Sequence, residues 1–272
     1  MLFGVAGVPH SSKGRSTIDG VKTIKELGLD AMEVQFVRGV KMGVKTAEEL
    51  KKVAEKLDVK LTVHAPYYIN LNASDEKKFE ESVKRIVDSC RIGSLFNARS
   101  VVFHAGYYMK LSKEKAYAKV KLGIQKVIEF LNENGIDIIL RPETTGKPTQ
   151  FGDLNEVVKL SQELERVLPC IDFSHIHARY RIYNSYDEFC SILEKVEEVG
   201  KNVIKNMHIH LSGIEYGLKG EKSHLNLKDS DMRYKELLQA LIDFGTSGIL
   251  ICESPNLEED ALLLKKTYNE LK

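Results

Sequence analysis

Ile138-Ile-Leu-Arg-Pro-Glu-Thr-Thr-Gly146 decides how this chain reads. An apolar run from Ile136 to Leu140 gives way to a charged group, Glu143, and a loop follows. Strands buried in parallel sheets read as short apolar runs bounded by turn residues. A carboxylate just past such a run sits at the carboxyl end of a strand. The same grammar recurs in Leu61-Thr-Val-His64, Val101-Val-Phe-His104, Cys170-Ile-Asp172, Met207-His-Ile-His210 and Ile249-Leu-Ile-Cys-Glu253. Each is mostly apolar and ends on His, Asp or Glu. If these strands are parallel neighbours, their ends lie side by side.

Working outward, the chain alternates strands and helices. Strands are expected over Leu2–Val8, Ala31–Val37, Lys60–His64, Ser100–His104, Ile136–Leu140, Val167–Asp172, Val203–Leu211 and Gly248–Glu253. Helices are expected over Thr17–Leu27, Thr46–Leu57, Asp75–Phe96, Lys113–Asn134, Leu154–Leu164, Tyr186–Val199, Met232–Phe244 and Leu257–Leu271. Phe79, Val83, Ile86, Val87 and Cys90 form an apolar stripe at helical spacing. Thr46 followed by Glu49 resembles a capping box. Gly135 reads as a helix stop. Ser212 to Asp231 reads as a polar loop. Alternation of this kind implies a parallel sheet. Eight strand–helix units in a chain of 272 residues match a single (β/α)8 TIM barrel covering 1–272, with its site at the carboxyl ends of the strands. The doubly wound alternative lacks support: no G-x-G-x-x-G follows the first strand, and no phosphate-binding G-x-x-x-x-G-K-[ST] occurs.

Composition excludes little else. At 43% hydrophobic and 29% charged, with net charge +1, the chain has ample apolar material for a core and is not a strongly basic protein. No apolar run is long enough to cross a bilayer. The N-terminus shows no secretory signal, and Cys90, Cys170, Cys190 and Cys252 form no C-x-x-C pair. A cytoplasmic monomer with reduced cysteines and no membrane partner is expected. Cys170 and Cys252 read as core packing.

In a barrel, His64, His104, Glu143, Asp172, His210 and Glu253 come from six consecutive strands, and His175 lies one short turn past Asp172. Imidazoles mixed with carboxylates suit zinc, manganese or iron rather than calcium. Seven such groups exceed what one ion needs and suit two or three ions sharing a bridging carboxylate. Clustered metals favour phosphoryl chemistry. A lone histidine at a strand end is more often a packing residue, and Glu143 or Asp172 could pair with Arg141 or lysines instead. The joint pattern across six strands carries the inference. His208 shares a strand face with His210 and reads as core or as a support for the site. Glu33 is a charge inside an apolar run; between an inward functional carboxylate and an ion-paired structural one, the second is preferred. His177 reads as a loop residue.

From the third strand to the eighth these residues resemble the endonuclease IV family of metal-dependent apurinic/apyrimidinic endonucleases. His64-Ala-Pro-Tyr67 with Ile69-Asn-Leu71, and Phe103-His104-Ala-Gly106, are similar to family segments, the second with Ala where the family has Pro. So are Glu143-Thr-Thr-Gly146 with Phe151-Gly152, Cys170-Ile-Asp172-Phe-Ser-His175, His210-Leu-Ser212 and Glu253-Ser-Pro255. The resemblance implies a three-zinc arrangement, with manganese as an alternative. His64 and His104 would bind a first zinc, and Glu143 would bridge to a second completed by Asp172, His210 and Glu253. His175 would bind a third zinc, together with a D-x-H motif from the loop after the seventh strand. His224 fits that histidine, but the Asp position reads Lys222, with Glu221 beside it. Either Glu221 substitutes after a small shift of the loop, or the third site is weak or missing, with an ammonium where an ion would sit.

The function so implied is hydrolysis of double-stranded DNA 5′ to an abasic site, with Glu143 catalytic and Arg38, Tyr67 and Tyr68 contacting DNA. Lys41, Lys45 and Lys147 are further candidates for phosphate contact. The related sugar isomerase/epimerase barrels give a second expectation, a single ion held by Glu143, Asp172, His210 and Glu253. A non-catalytic binder of damaged DNA is a third, disfavoured because a full metal shell without turnover needs another explanation.

Overall fold

A computed structural model describes residues 1–272. In chain order the elements are β1 (Leu2–Ala6), α1 (Thr17–Glu26), β2 (Ala31–Gln35), α2 (Val44–Leu57), β3 (Lys60–His64), α3 (Glu76–Leu95), β4 (Ser100–Phe103), α4 (Lys113–Glu133) and β5 (Ile139–Pro142). There follow α5 (Leu154–Glu163), β6 (Cys170–Asp172), α6 (Phe173–Tyr180), α7 (Tyr186–Glu197), β7 (Met207–Leu211), β8 (Gly213–Gly217), β9 (Gly220–Leu225), α8 (Tyr234–Asp243), β10 (Gly248–Cys252) and α9 (Glu258–Leu271).

Eight parallel strands are ordered β5-β4-β3-β2-β1-β10-β7-β6. The seam between β5 and β6 is joined by two bridges, Leu140 to Val167 and Glu143 to Cys170, which makes the sheet a nearly closed TIM barrel. Each strand's alternate side chains face opposite ways. One set, including Phe3, Val34, Val63, Phe103, Ile209 and Cys252, joins the apolar layer under the helices. The other set faces the lumen, where Leu2, Ala6, Ala31, Ile249 and Ile251 make a small apolar cluster. The lumen is otherwise strongly polar, as contacts between strands that are not sheet neighbours show. Glu33 of β2 meets His208 and His210 of β7, and Ser100 of β4 meets His208. No helix is long and apolar enough to cross a membrane.

Helix starts follow their caps. Ser16 and Asp153 form capping boxes with Asp19 and Glu156, and Asp75 and Ser112 accept from backbone N–H groups of the first turn. Gly135, at φ 62°, follows the end of α4 as expected. The expected capping box at Thr46 is absent: α2 begins at Val44 behind an extended Gly43 with no side-chain cap.

Five further expectations are corrected. The fifth strand lies at Ile139–Pro142 rather than Ile136–Leu140. Ile136 donates its N–H to Leu131 O and completes the turn after α4. The strand runs on through Arg141, a charge that hides its continuation from an apolar reading. Arg141 is buried, and it donates to the carbonyls of Pro169 and Asn206, not to Glu143 or Asp172. The sixth strand is cut to Cys170–Asp172, because Arg166 is left-handed and Pro169 has no N–H. Val203–Asn206 is a single tight helical turn, entered through left-handed Lys201 and Asn202, so the seventh strand starts at Met207. The expected loop Ser212–Asp231 contains the antiparallel hairpin β8–β9. His177 is not in a loop. It is buried in α6, where its ring faces Asp231 and the carbonyl of Ile182.

Candidate metal centre

The carboxyl ends of β3 to β7 and β10 bring the expected donors together. Glu143 is the hub. Its backbone N–H donates to Phe103 O, which seats it at the β4–β5 step, and its side chain is fully buried. Oε2 lies 3.2 Å from His64 Nε2 and 3.0 Å from His104 Nε2. Oε1 lies 3.2 Å from His175 Nδ1 and 3.3 Å from His210 Nδ1. Three donor groups surround this carboxylate: His64, His104 and Glu143; Glu143, Asp172, His210 and Glu253; and His175, Glu221 and His224. Glu143 belongs to two of them, and His175 links it to the third.

The imidazoles are held by their far nitrogens. A carbonyl can only accept, so a ring nitrogen facing one carries the proton. His64 Nδ1–H donates to Ala65 O at 2.8 Å, His175 Nδ1–H to Thr144 O at 3.0 Å, and His224 Nδ1–H to Glu253 O at 3.2 Å. That leaves the Nε2 atoms to face the cluster: His64 Nε2 donates to Glu143 Oε2 at 3.2 Å, a proton a cation would replace, and His175 and His224 Nε2 face each other at 3.4 Å. This is how second-layer contacts aim metal-ligating histidines.

Asp172 caps α6. Its Oδ1 accepts from His175 N–H at 2.7 Å, and its own N–H donates to Thr144 Oγ1. Oδ2 is buried with no hydrogen-bond partner. An orphaned carboxylate oxygen in the middle of an imidazole and carboxylate cluster is an open ligand position, and the donor set fits zinc.

The third group depends on the hairpin. Glu221 N–H donates to Gly146 O, and a Cβ on Gly146 would stand 2.7 Å from Glu221 Cβ and 3.1 Å from His175 Cδ2. Only glycine at 146 lets β9 approach this closely. Glu221 Oε2 is 3.6 Å from His175 Nε2, and its Oε1 is 3.9 Å from His224 Nε2. Lys222 is not in the site: its ammonium pairs with Glu215 at 3.0 Å on the exposed side of the hairpin.

Burial opposes charge on His64, but the hydrogen bond and charge of Glu143 outweigh it and push His64 up to about 9. Burial likewise opposes charge on His175 and His210, yet neighbouring acids and the Cys170 thiol hold both well above the usual range. For Glu143, burial is outweighed by His104 and His210, and the carboxyl stays well below its ordinary value. Burial pushes Asp172 up. Divalent cations must therefore displace protons. Zinc affinity is expected to rise as pH rises from about 6.5 through about 9, with proton uptake by the buffer. Calorimetry in two buffers of different ionisation enthalpy would read it; equal apparent enthalpies at pH 7 would contradict it. The raised histidine also stabilises the metal-free fold below its unfolded value, and that share is lost as pH rises through about 9.

Behind the site, Glu33 is buried against His208 and His210, so it is ion-paired and also faces inward. Burial pushes His208 down to about 4, against the pull of Glu33, so the ring is neutral. Cys170 is buried beside His208 and His210 in the lumen rather than in the apolar layer, and burial raises its thiol; Cys252 does pack in that layer. Sequence reasoning placed Glu33 and Glu221 only as alternatives. Glu33 is two residues from Gln35 on the lumen side of β2, a polar alternation inside an apolar run that is its signal.

A cleft of about 560 Å³ opens above the donors, lined by His64, His104, His175, Glu221, His224 and Glu253, with Tyr67 at its edge. Tyr67 and Tyr68 are exposed. Arg38 lies outside this cleft, in an adjoining groove with Arg15 and Lys41; the two share Gln35 and Val37.

The sequence profile described as xylose isomerase-like TIM barrel matches residues 21–269. The chain belongs to this family. An uncharacterised protein of Methanocaldococcus jannaschii is 51% identical over 100% of this chain and 98% of its own length. A probable endonuclease 4 of Mycoplasma mobile is 29% identical, covering 78% of this chain and 75% of its own. Among solved structures, a D-tagatose 3-epimerase-like protein superimposes with a TM-score of 0.77 at 20% identity, over 100% of this chain and 97% of that one. Endonuclease IV from Thermus thermophilus does so with 0.74 at 20%, over 98% of each. At that identity the structural likenesses establish the barrel, and both chemistries occur on it.

Proposed function

We propose that the protein is a metal-dependent endonuclease that hydrolyses double-stranded DNA 5′ to abasic sites, acting in base excision repair. The observation that carries this reading is the sharing of Glu143 between two donor groups, with a third group alongside. A single-ion site needs only Glu143, Asp172, His210 and Glu253. It leaves His64, His104, His175, Glu221 and His224 without a purpose. The sequence likeness to probable endonuclease 4 proteins supports the same reading.

When bound, two or three zinc ions, or manganese in their place, would supply Lewis acidity towards a phosphodiester and acidify a water. His64 and His104 would hold one ion, Asp172, His210 and Glu253 a second, and His175, Glu221 and His224 a third. Glu143 would serve the first two together. The surrounding imidazoles, His104 and His210 foremost, keep it ionised against the cost of burial, so it accepts rather than donates near the scissile phosphate. The product halves are a 3′ hydroxyl and a 5′ phosphate, so one proton must reach the departing 3′ oxygen. Tyr67 and Tyr68 offer exposed rings for stacking at a gap in the base ladder, and unstacking costs least at a damaged site. Arg38 would hold the backbone in the adjoining groove. In this reading residues 1–272 form one domain, working as a cytoplasmic monomer.

The deciding experiment incubates the zinc-loaded protein with a duplex carrying one synthetic abasic site, with and without chelator. Nicking on the 5′ side that chelator abolishes is expected. An intact duplex under zinc-replete conditions would refute the proposal. A single-ion sugar epimerase is the second reading, favoured by the self-sufficient four-residue group, and it requires about one ion per chain instead of two or three.

A further inference from the structure

His64, His175 and His224 all direct their far nitrogen to a backbone carbonyl. His210 does not. Its Nε2 lies 3.2 Å from Glu33 Oε1, across the barrel lumen from β2. This contact and that of His208 are charge contacts: neither His210 Nε2 nor His208 Nε2 has a hydrogen-bond partner, and Glu33 is the acceptor within reach of each, while His210 Nδ1 faces Glu143 Oε1 at 3.3 Å. His208 Nε2 is 3.0 Å from Glu33 Oε2, and the hydroxyl of Thr62 donates to that oxygen at 3.0 Å. Gln35 Nε2 donates to Oε1 at 3.2 Å. An ionised Glu33 can only accept, so the neutral His208 ring carries its proton on Nε2, and its Nδ1 accepts from the Ser100 hydroxyl at 3.1 Å.

A fully buried carboxylate is costly unless it is paired and hydrogen-bonded. Here it is surrounded by donors, and two of them are imidazoles of one strand. Of these, only His210 reaches the donor groups: its Nδ1 is 3.3 Å from Glu143 Oε1 and 3.5 Å from Glu253 Oε1. We propose that Glu33 is the positioning residue for His210. By accepting Nε2–H it fixes the tautomer with the lone pair on Nδ1, aimed at the ion that Glu143, Asp172 and Glu253 would share. His208, Thr62, Ser100 and Gln35 hold the carboxylate in that pose. A carbonyl would orient the ring equally well; a carboxylate also makes the imidazole a stronger donor. The inference rests on the metal reading of the site but not on the choice between nuclease and epimerase, since both use His210.

The test titrates the full chain with zinc against a competing chelator, and records nitrogen chemical shifts of histidines in zinc-loaded protein. Glu33→Gln keeps the volume but can turn its N–H2 towards His210. About 10–100-fold weaker binding of one ion is expected, with the remaining ions unchanged and His210 moved to the opposite tautomer or to a mixture. Glu33→Asp should recover part of the affinity, and serves as the test if the Gln variant does not fold. Wild-type affinity for every ion with an unchanged His210 tautomer would overturn the proposal. So would equal weakening of all ions in step with the metal-free melting temperature, which marks packing alone. A wild-type protein that binds zinc normally and nicks no DNA would defeat the nuclease reading and leave this one standing.

Discussion

Glu143→Gln should lower nicking of an abasic duplex by about 10²–10⁴-fold while the metal-free protein still folds. The magnitude follows from burial. The carboxylate has no exposed surface and touches four imidazoles within 3.0–3.3 Å. An amide is nearly isosteric, so the core loses no volume. It is neutral, however, and one of its ends presents N–H groups to rings that need an acceptor. Removing one partner of a buried charge pair costs about 3–5 kcal/mol. If the reacting complex loses the same amount of stabilisation, about 1.4 kcal/mol per decade gives the stated range. Because Glu143 serves two groups, zinc content should fall together with rate. A gel-based nicking assay beside zinc analysis reads both. Undiminished nicking by the variant would remove Glu143 from the chemistry, and lost nicking with unfolded protein would be checked by circular dichroism.

The donors at the strand ends were legible because a closed parallel barrel turns sequence order into spatial order. Six apolar runs that each end on a ligand type point to one rim, whatever the loops do. Strand boundaries were less legible wherever the lumen is polar. Arg141 looks like the end of a strand but is one of its interior residues, with its guanidinium satisfied by carbonyls that no sequence pattern reveals. Glu33 looks anomalous for the same reason: its partners, His208 and His210, are about 175 positions away in sequence yet directly across the lumen. α6 escaped notice because it is short and its cap, Asp172, was already read as a strand end. Local patterns name the residue types in each element, but which lumen residues face each other depends on register.

The hairpin shows the same limit most sharply, and it yields the second large effect. In a regular strand Lys222 and His224 share a face and Glu221 points away. The D-x-H pattern assumes that geometry. Here the pairing shifts between Glu215 and Tyr216: Ser223 lies opposite Glu215, and Glu221 lies opposite Tyr216. Lys222 is the extra residue of a bulge, and a bulge reverses the alternation beyond it. Glu221 and His224 therefore turn to His175 together, while Lys222 turns out to Glu215. Glu221→Ala should weaken the ion of the third group by at least the roughly 10–100-fold that loss of an outer-layer partner costs. If three ions bind the wild-type chain, about two should survive chelator challenge in this variant. Lys222→Ala should leave zinc content and nicking unchanged, since it removes only an exposed ion pair worth about 0–1 kcal/mol. Lys222→Asp restores the D-x-H pattern in sequence but places the new carboxylate beside Glu215, outside the site, so it too should add no ligand. Metal analysis of the three variants separates the possibilities: if Lys222→Asp tightens zinc while Glu221→Ala does nothing, the strand runs in the regular register and the bulge is not what recruits Glu221.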